Sequence, residues 1–188
     1  PVEKILVKNG KARGVVLESG EEISAKAVLS SCDPNLTFLG LVGEEHLDAD
    51  FTTAIRRYKL RGSSGKVNLA VDRLPVFSCR PDGDAHLRGD VAVAPSIEYL
   101  ERAYDEAKYG AFSRRPYINM VVPSLVDPSV APPGQHVISC FVQYAPYKLK
   151  QGPEHWPEQR EAFGDAVVDT LAEYVPGLKS SILFRQVL

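Results

Sequence analysis

Cysteine is scarce in this sequence, and so are long apolar runs. Three cysteines, Cys32, Cys79 and Cys140, occur in 188 residues, widely spaced and without a C-x-x-C pair. Their odd number excludes a complete set of internal disulfides and favours a reducing compartment, so we expect a cytoplasmic protein with small buried thiols. No apolar stretch approaches the roughly 18 residues that a membrane span requires.

An excess of charge of one sign is also lacking, because the formal net charge is −2 with 24% charged residues. No basic stripe is visible, which argues against nucleic acid as the main partner. The four histidines are scattered and no two of them are spaced i, i+4, so the sequence offers no metal site. With 44% hydrophobic residues, the composition is that of an ordinary globular protein.

Complete catalytic motifs are missing as well. The dinucleotide fingerprint G-x-G-x-x-G and the nucleophile elbow G-x-S-x-G do not occur. The segment "GSSGK" at Gly62–Lys66 is similar to a phosphate-binding loop, but its spacing is too short and Lys66 is followed by Val67. The residues alone therefore predict a fold class and leave the chemistry open.

Short β-rich runs fill the beginning of the chain. Two of them, within "EKILVKNGKARGVVLESGEEI", are joined by Asn9-Gly10, a strong hairpin signal because both residues tolerate positive φ. Ser19-Gly20 turns the chain into a third strand, which we expect to lead into a return strand over Ala27–Ser31. The following Asp33-Pro34 pair cannot continue a strand.

Helices and strands alternate after that point. The pattern predicts three helices: one capped by Asp48, one from Ser96 to Gly110 and one over Glu158–Tyr174. It also predicts four strands. The first has Val67, Leu69 and Val71 inward, two lie within "PYINMVVPS" and "GQHVISCFVQYAP", and the last covers Ser181–Val187. The proline-rich loop Asp127–Gly134 is either a rigid connector or a wall over a ligand. The predicted class is α+β, a mixed or antiparallel sheet covered by helices.

Both ends of the chain carry strand patterns. The sequence starts at Pro1 directly before a β-rich run, and it ends in "SSILFRQVL". We expect that it is an internal fragment of a longer protein, truncated at both ends.

The run "VEKILVKNGKARGVVLESGEEISAKAVLSSCDP" resembles the middle of flavin-dependent proteins of the amine oxidase superfamily. The later segments resemble one branch most closely, the phytoene dehydrogenase-like oxidoreductases with a pyridine nucleotide-disulfide oxidoreductase domain. The segment "PSLVDPSVAPPGQH" is the most specific of these matches, and the resemblance extends over essentially all 188 residues.

This resemblance implies an FAD-binding domain that is interrupted by a substrate domain. Residues 1–33 would be the β-meander and return strand of the FAD-binding domain, residues 34–188 would be the substrate-binding domain, and Asp33-Pro34 would be the crossing point. FAD would be the cofactor of the full-length protein. We expect the fragment itself to bind no FAD, because the dinucleotide glycines of the family would precede Pro1.

The resemblance also implies cofactor-binding residues near the start of the chain. Val2 matches a family valine whose backbone touches the FAD adenine, although it could equally be an ordinary strand valine. Ser31, Cys32 and Asp33 would form a turn at the carboxyl end of a parallel strand, where doubly wound sheets bind ligands. For Cys32, the alternative is a small buried residue without reactivity.

Lys66 is the candidate catalytic residue. Amine oxidases of the superfamily place a lysine on a substrate-domain strand, where it holds a water against the flavin, and "SSGKVNLAVDRLPVF" is similar in layout. The alternative is a solvated lysine at the start of a strand. Phe141, Gln143 and Tyr144 are the candidate substrate-binding residues. The wider aromatic set either lines an apolar tunnel or belongs to the core; its members are Phe77, Tyr117, Phe141, Tyr144 and Tyr147.

The function that the resemblance implies is hydride transfer from an apolar, carotenoid-like substrate or an amine to FAD. The full-length protein would be the enzyme and the fragment would be inactive. The alternative is a non-catalytic interaction module derived from the same domain. We expect the fragment to self-associate through the apolar surface that the flavin domain would cover. The resemblance allows the full-length protein to associate with a membrane surface.

Overall fold

The computed structural model describes residues 1–60 and 62–188. The chain forms two compact units, of which the first is Pro1–Leu60 and the second takes in residues 62–188. The division therefore falls later than the Asp33-Pro34 pair. The assignment of residues 1–33 and 34–188 to flavin and substrate domains stays a prediction, because compactness alone does not reveal the origin of a segment.

The first unit consists of a small antiparallel sheet followed by helical segments. Strands β1 (Val2–Lys8), β2 (Lys11–Leu17) and β3 (Glu22–Ser24) form the sheet in the order β1-β2-β3. Asn9 and Gly10 have φ values of 52° and 71°, which confirms the predicted hairpin. A π-helix (Asn35–Val42), a 3₁₀ turn (Glu44–His46) and helix α1 (Ala49–Arg57) follow. Asp48 caps α1 as predicted, since its carboxylate accepts the Phe51 N–H at 2.8 Å.

The return strand predicted over Ala27–Ser31 is wrong for this structure. Residues 25–33 form no strand, and Leu29 in their middle is 95% exposed. The alternating pattern is present in the sequence, but a strand exists only where a neighbour accepts and donates its backbone hydrogen bonds. No strand of the first unit pairs with this segment.

The second unit is built on a five-stranded sheet in the order β5-β6-β7-β4-β8, with all neighbouring strands antiparallel. This confirms the predicted class. The strands are β4 (Ser64–Val71), β5 (Val91–Val93), β6 (Tyr117–Val121), β7 (His136–Gln143) and β8 (Ile182–Val187). The helices are α2 (Ile97–Lys108), α3 (Trp156–Ala172) and α4 (Leu178–Ser181). Short 3₁₀ turns lie at Ala85–Arg88, Pro123–Leu125, Pro128–Val130 and Pro153–His155.

Helix α3 covers one face of this sheet. Phe163, Val167 and Leu171 on its inner side are buried against the inward side chains of β4 and its neighbours. Two glycines permit the close approach. A Cβ at Gly65 on β4 would lie 2.6 Å from the Phe163 ring, and a Cβ at Gly164 on α3 would lie 2.7 Å from Val187. Among the described residues, no helix has the length and apolar character needed to cross a bilayer.

Candidate functional site

The second face of the five-stranded sheet is accessible to solvent, and we call it the open face. Strand alternation and the cross-strand register place one set of side chains on it. They are Lys66, Asn68 and Ala70 of β4, Val137, Ser139, Phe141 and Gln143 of β7, Tyr117, Asn119 and Val121 of β6, and Phe184 and Gln186 of β8. All of these residues are partly or fully exposed, whereas most of the residues that alternate with them on the three central strands are buried. The open face is therefore the part of the sheet that can receive a ligand.

Lys66 lies on the open face of β4. It stands directly opposite Phe141 of β7, and on the other side its backbone exchanges two hydrogen bonds with Leu188, of 3.0 and 2.8 Å. Its side chain is exposed, and it forms no ion pair with an acidic side chain of residues 1–60 and 62–188. The predicted catalytic lysine thus carries a positive charge that no described carboxylate neutralises.

A polar row crosses the open face next to Lys66. The Ser139 hydroxyl donates to the Asn68 side-chain carbonyl at 3.0 Å, and the Asn68 amide donates to Gln186 at 3.1 Å. These two bonds fix the orientation of the Asn68 carboxamide across three strands. Sequence reasoning missed this row, because its members are far apart in the chain and only the strand register brings them together.

Phe141 and Gln143 share the open face with Lys66. Phe141 is 47% exposed, which is unusual for a phenylalanine on a central strand. Gln143 lies two residues further along the same face and stands opposite Tyr117 of β6. The structure therefore brings together Lys66, Phe141 and Gln143, three residues that the sequence analysis selected for different reasons.

Tyr144 has a different environment. Its ring lies against Tyr104 of α2, with the ring centroids 5.1 Å apart. The buried Ser113 hydroxyl accepts the Tyr144 N–H at 3.1 Å and donates to the carbonyl of Ala103 on α2. Tyr144 thus joins the end of β7 to α2, and its substrate-binding role stays a prediction.

The remaining aromatic candidates divide between core and surface. Phe77 is buried in the core of the second unit, and Tyr117 lies on the open face. Tyr147 lines a mostly apolar cavity of about 450 Å³, together with Trp156, Phe163 and Arg160. Sequence reasoning placed Tyr147 among the candidates but did not identify the cavity.

The predicted cofactor residues all lie in the first unit. Val2 pairs with Leu17 at the start of the hairpin, and Ser31 and Cys32 are exposed. The Asp33 carboxylate accepts the N–H groups of Asn35 and Leu36, at 2.8 and 3.0 Å. In this structure Asp33 therefore serves to start the π-helix.

A cavity of about 420 Å³ lies next to this turn. It belongs wholly to the first unit, and Cys32 and Pro34 are among its lining residues. The Ser30 and Thr37 hydroxyls are hydrogen-bonded at 2.7 Å within it. The predicted turn thus borders a space that could hold part of a ligand, and the cofactor roles of Val2, Ser31, Cys32 and Asp33 stay predictions.

The three thiols differ in accessibility. Cys140 is fully buried on the α3 side of β7, and burial raises the pKa of its thiol to about 12. Cys32 and Cys79 are exposed. The expectation that the thiols are small buried residues is therefore confirmed for Cys140 and wrong for Cys32 and Cys79. Within the described residues, no three His, Cys, Asp or Glu side chains are grouped as metal ligands.

We expect Cys140 to resist alkylation in the native protein. Burial excludes the reagent and the raised pKa keeps the thiol protonated, so its peptide should stay unlabelled by iodoacetamide at pH 8 while the Cys79 peptide is labelled. Peptide mass spectrometry of native and denatured samples measures both. Labelling of Cys140 at the same rate as Cys79 before denaturation would contradict the burial described here.

Comparisons with known proteins find relatives that are named as oxidoreductases. No protein-family model matches it. It is 40% identical over 195 residues to the rat protein named pyridine nucleotide-disulfide oxidoreductase domain-containing protein 2 (Rattus norvegicus), and 38% identical over 194 residues to the mouse protein of that name (Mus musculus). Both alignments cover 100% of this chain and 33% of the relative. The chain therefore spans about a third of the length of these relatives.

More distant matches are also named as a desaturase or an oxidoreductase. A phytoene desaturase (neurosporene-forming) of Cereibacter sphaeroides is 27% identical over 96% of this chain and 33% of its own length. The crystal structure of an oxidoreductase from Methanosarcina mazei superimposes with a TM-score of 0.55 at 23% identity, over 100% of this chain and 36% of that one. At this identity the structural match shows the fold alone. The resemblance identified in the sequence is confirmed by these relatives.

Proposed function

We propose, from its homology along the whole chain to one third of pyridine nucleotide-disulfide oxidoreductase domain-containing protein 2, that this chain is part of an FAD-dependent oxidoreductase. The open face would be the wall that this chain presents to substrate and flavin. The observation that carries the proposal is the assembly of Lys66, Phe141 and Gln143 on one accessible sheet face. A fixed sheet is a suitable support, because sites on regular elements hold their geometry better than sites on loops.

The chemical character of the open face fits a flavin site. Lys66 supplies an unneutralised positive charge, and the partly exposed Phe141 supplies an apolar surface beside it. FAD, when bound, would supply the hydride acceptor. The Lys66 ammonium would stabilise the negative charge that develops next to it and would hold a water molecule in place. The polar row of Ser139, Asn68 and Gln186 would keep the neighbouring side chains in fixed positions.

The unpaired segment of the first unit supports the same proposal. Residues 27–31 have an alternating pattern typical of a strand, yet Leu29 is almost completely exposed. The exposed apolar side chain of Leu29 marks a surface that other residues of the full-length protein would cover. Val2 and the turn of Ser31, Cys32 and Asp33 would then belong to the cofactor side.

Flavin content of the full-length protein tests the proposal. We expect it to purify yellow, and to release close to one FAD per chain after heat denaturation, measured by absorbance and chromatography. We expect the chain of residues 1–188 alone to bind no FAD, measured by quenching of FAD fluorescence. A colourless full-length protein that takes up no added FAD would contradict the proposal and favour the non-catalytic interaction module.

A further inference from the structure

We propose that the open face binds a planar aromatic ring that carries a carboxylate, with the ring on Phe141 and the carboxylate at Lys66. This inference rests on the proposed function in taking the open face as the substrate wall, and it adds a second contact at Lys66, whose ammonium has three N–H donors and can bind a carboxylate beside a water. It narrows the substrate class, because it favours an aromatic acid over the carotenoid-like hydrocarbon that the resemblance implies.

Phe141 provides the platform for the ring. It lies on β7, the middle strand of the five, and 47% of its surface is exposed. Aromatic rings associate in offset or edge-to-face arrangements at centroid separations of about 4.5–7 Å, and no ring of the described residues occupies such a position beside Phe141. The exposed ring is therefore available to an aromatic ligand.

Hydrogen-bonding groups surround this platform. Lys66 and Asn119 stand directly opposite Phe141 on its two neighbouring strands, at Cβ separations of about 4.5–5.5 Å for such pairs. Gln143 and Ser139 lie two residues away on β7 itself, about 7 Å along the strand. An apolar ring is thus bordered by polar groups on every side, a pattern that matches an aromatic ring with polar substituents.

Three of these four polar groups have no partner within the described residues. Ser139 donates to Asn68, whereas the side chains of Asn119 and Gln143 form no hydrogen bond and Lys66 forms no ion pair with residues 1–60 and 62–188. A hydrocarbon seated here would remove water from an ammonium and two carboxamides and would replace none of their hydrogen bonds. A carboxylate would satisfy the ammonium, and carboxamides could bind further polar substituents. The complementarity therefore favours the aromatic acid.

Isothermal titration calorimetry of the full-length protein with three matched probes tests this inference. Benzoate carries both the ring and the charge, benzamide keeps the ring without the charge, and cyclohexanecarboxylate keeps the charge without the planar ring. We expect benzoate to bind, and the other two to bind about tenfold or more weakly, as expected when a charge-assisted hydrogen bond or a ring contact is lost. Equal binding of the three probes, or no binding of benzoate, would overturn the proposal.

Four variants test whether benzoate binds at the open face. Phe141→Leu and Lys66→Met should each weaken benzoate binding about tenfold or more. Lys148→Met, at an exposed lysine of the loop after β7, is the matched charge control, and Arg160→Met tests the separate cavity lined by Trp156. Both of these should leave binding unchanged. Loss of binding in Arg160→Met with normal binding in Lys66→Met would overturn the proposal.

The flavin content of the same samples separates the two proposals. A yellow protein that does not bind benzoate would contradict the aromatic-acid site and leave the oxidoreductase assignment intact. A colourless protein that binds benzoate in a Phe141-dependent manner would contradict the flavin proposal and support the ligand site.

Discussion

Substitution of Lys66 by methionine is expected to slow reoxidation of the flavin in the full-length protein by about 10²-fold, the usual cost of removing one preorganised electrostatic group. Methionine keeps a similar unbranched side chain and removes the charge together with its N–H donors. Because the Lys66 side chain is exposed and makes no ion pair with a described residue, folding should be unaffected. The measurement is stopped-flow absorbance in the visible flavin band, after anaerobic chemical reduction and mixing with oxygen-saturated buffer.

Two further variants make this result specific. Lys66→Arg keeps the charge with a different shape and should retain more of the rate than Lys66→Met. Lys148→Met removes an exposed lysine of the loop after β7 and should behave as the unmodified protein. If Lys66→Met reoxidises at the normal rate, Lys66 is the solvated strand lysine that the sequence also allowed.

Phe163→Ala should lower the free energy of unfolding of the second unit by about 3–5 kcal/mol, the range for deletion of a buried phenylalanine ring. Phe163 is 1% exposed. Its ring lies 5.6 Å from that of Phe112 and 5.8 Å from that of Trp156, centroid to centroid. It also fills the space above Gly65, so its loss leaves a cavity between α3 and the sheet.

Urea denaturation followed by tryptophan fluorescence of the chain of residues 1–188 measures this effect, because Trp156 is the single tryptophan and lies beside the substituted ring. Ile97→Ala, at an exposed position of α2, is the control and should change the free energy of unfolding by less than about 0.5 kcal/mol. A loss below about 1 kcal/mol for Phe163→Ala would mean that α3 does not rest on the sheet as described.

Local signals in the sequence predicted most of the regular elements. Alternation predicted β4 with Val67, Leu69 and Val71 inward, and all three are fully buried. The helix predicted from Ser96 starts there, because the Ser96 hydroxyl accepts the Tyr99 N–H at 3.1 Å. Such signals depend on a few adjacent residues, so they can be read without knowledge of the tertiary fold.

Features that depend on distant partners could not be read in this way. Strand β5 has only three residues, and among residues 1–60 and 62–188 it pairs with β6 alone, at the edge of the sheet. The segment 27–31 has the strand pattern but no pairing strand in the first unit. In both cases the partner decides the outcome, and partners are not visible in a local pattern.

The candidate site also combines residues that the sequence could identify with an arrangement that it could not. Lys66, Phe141 and Gln143 were selected individually, from a resemblance and from their positions at strand ends. Their common face follows from the register of β4, β7 and β6, and Asn119 became a candidate only through its position opposite Phe141. Register is fixed by the complete sheet, so the assembly of the site could not be predicted from the sequence.

The strand order also determines when the sheet of the second unit can form during synthesis of the chain. Strand β4 is synthesised first among the five, yet both of its neighbours, β7 and β8, come from the later part of the chain. Its backbone therefore emerges from the ribosome long before the strands that pair with it, and such late pairing slows folding and prolongs exposure to aggregation.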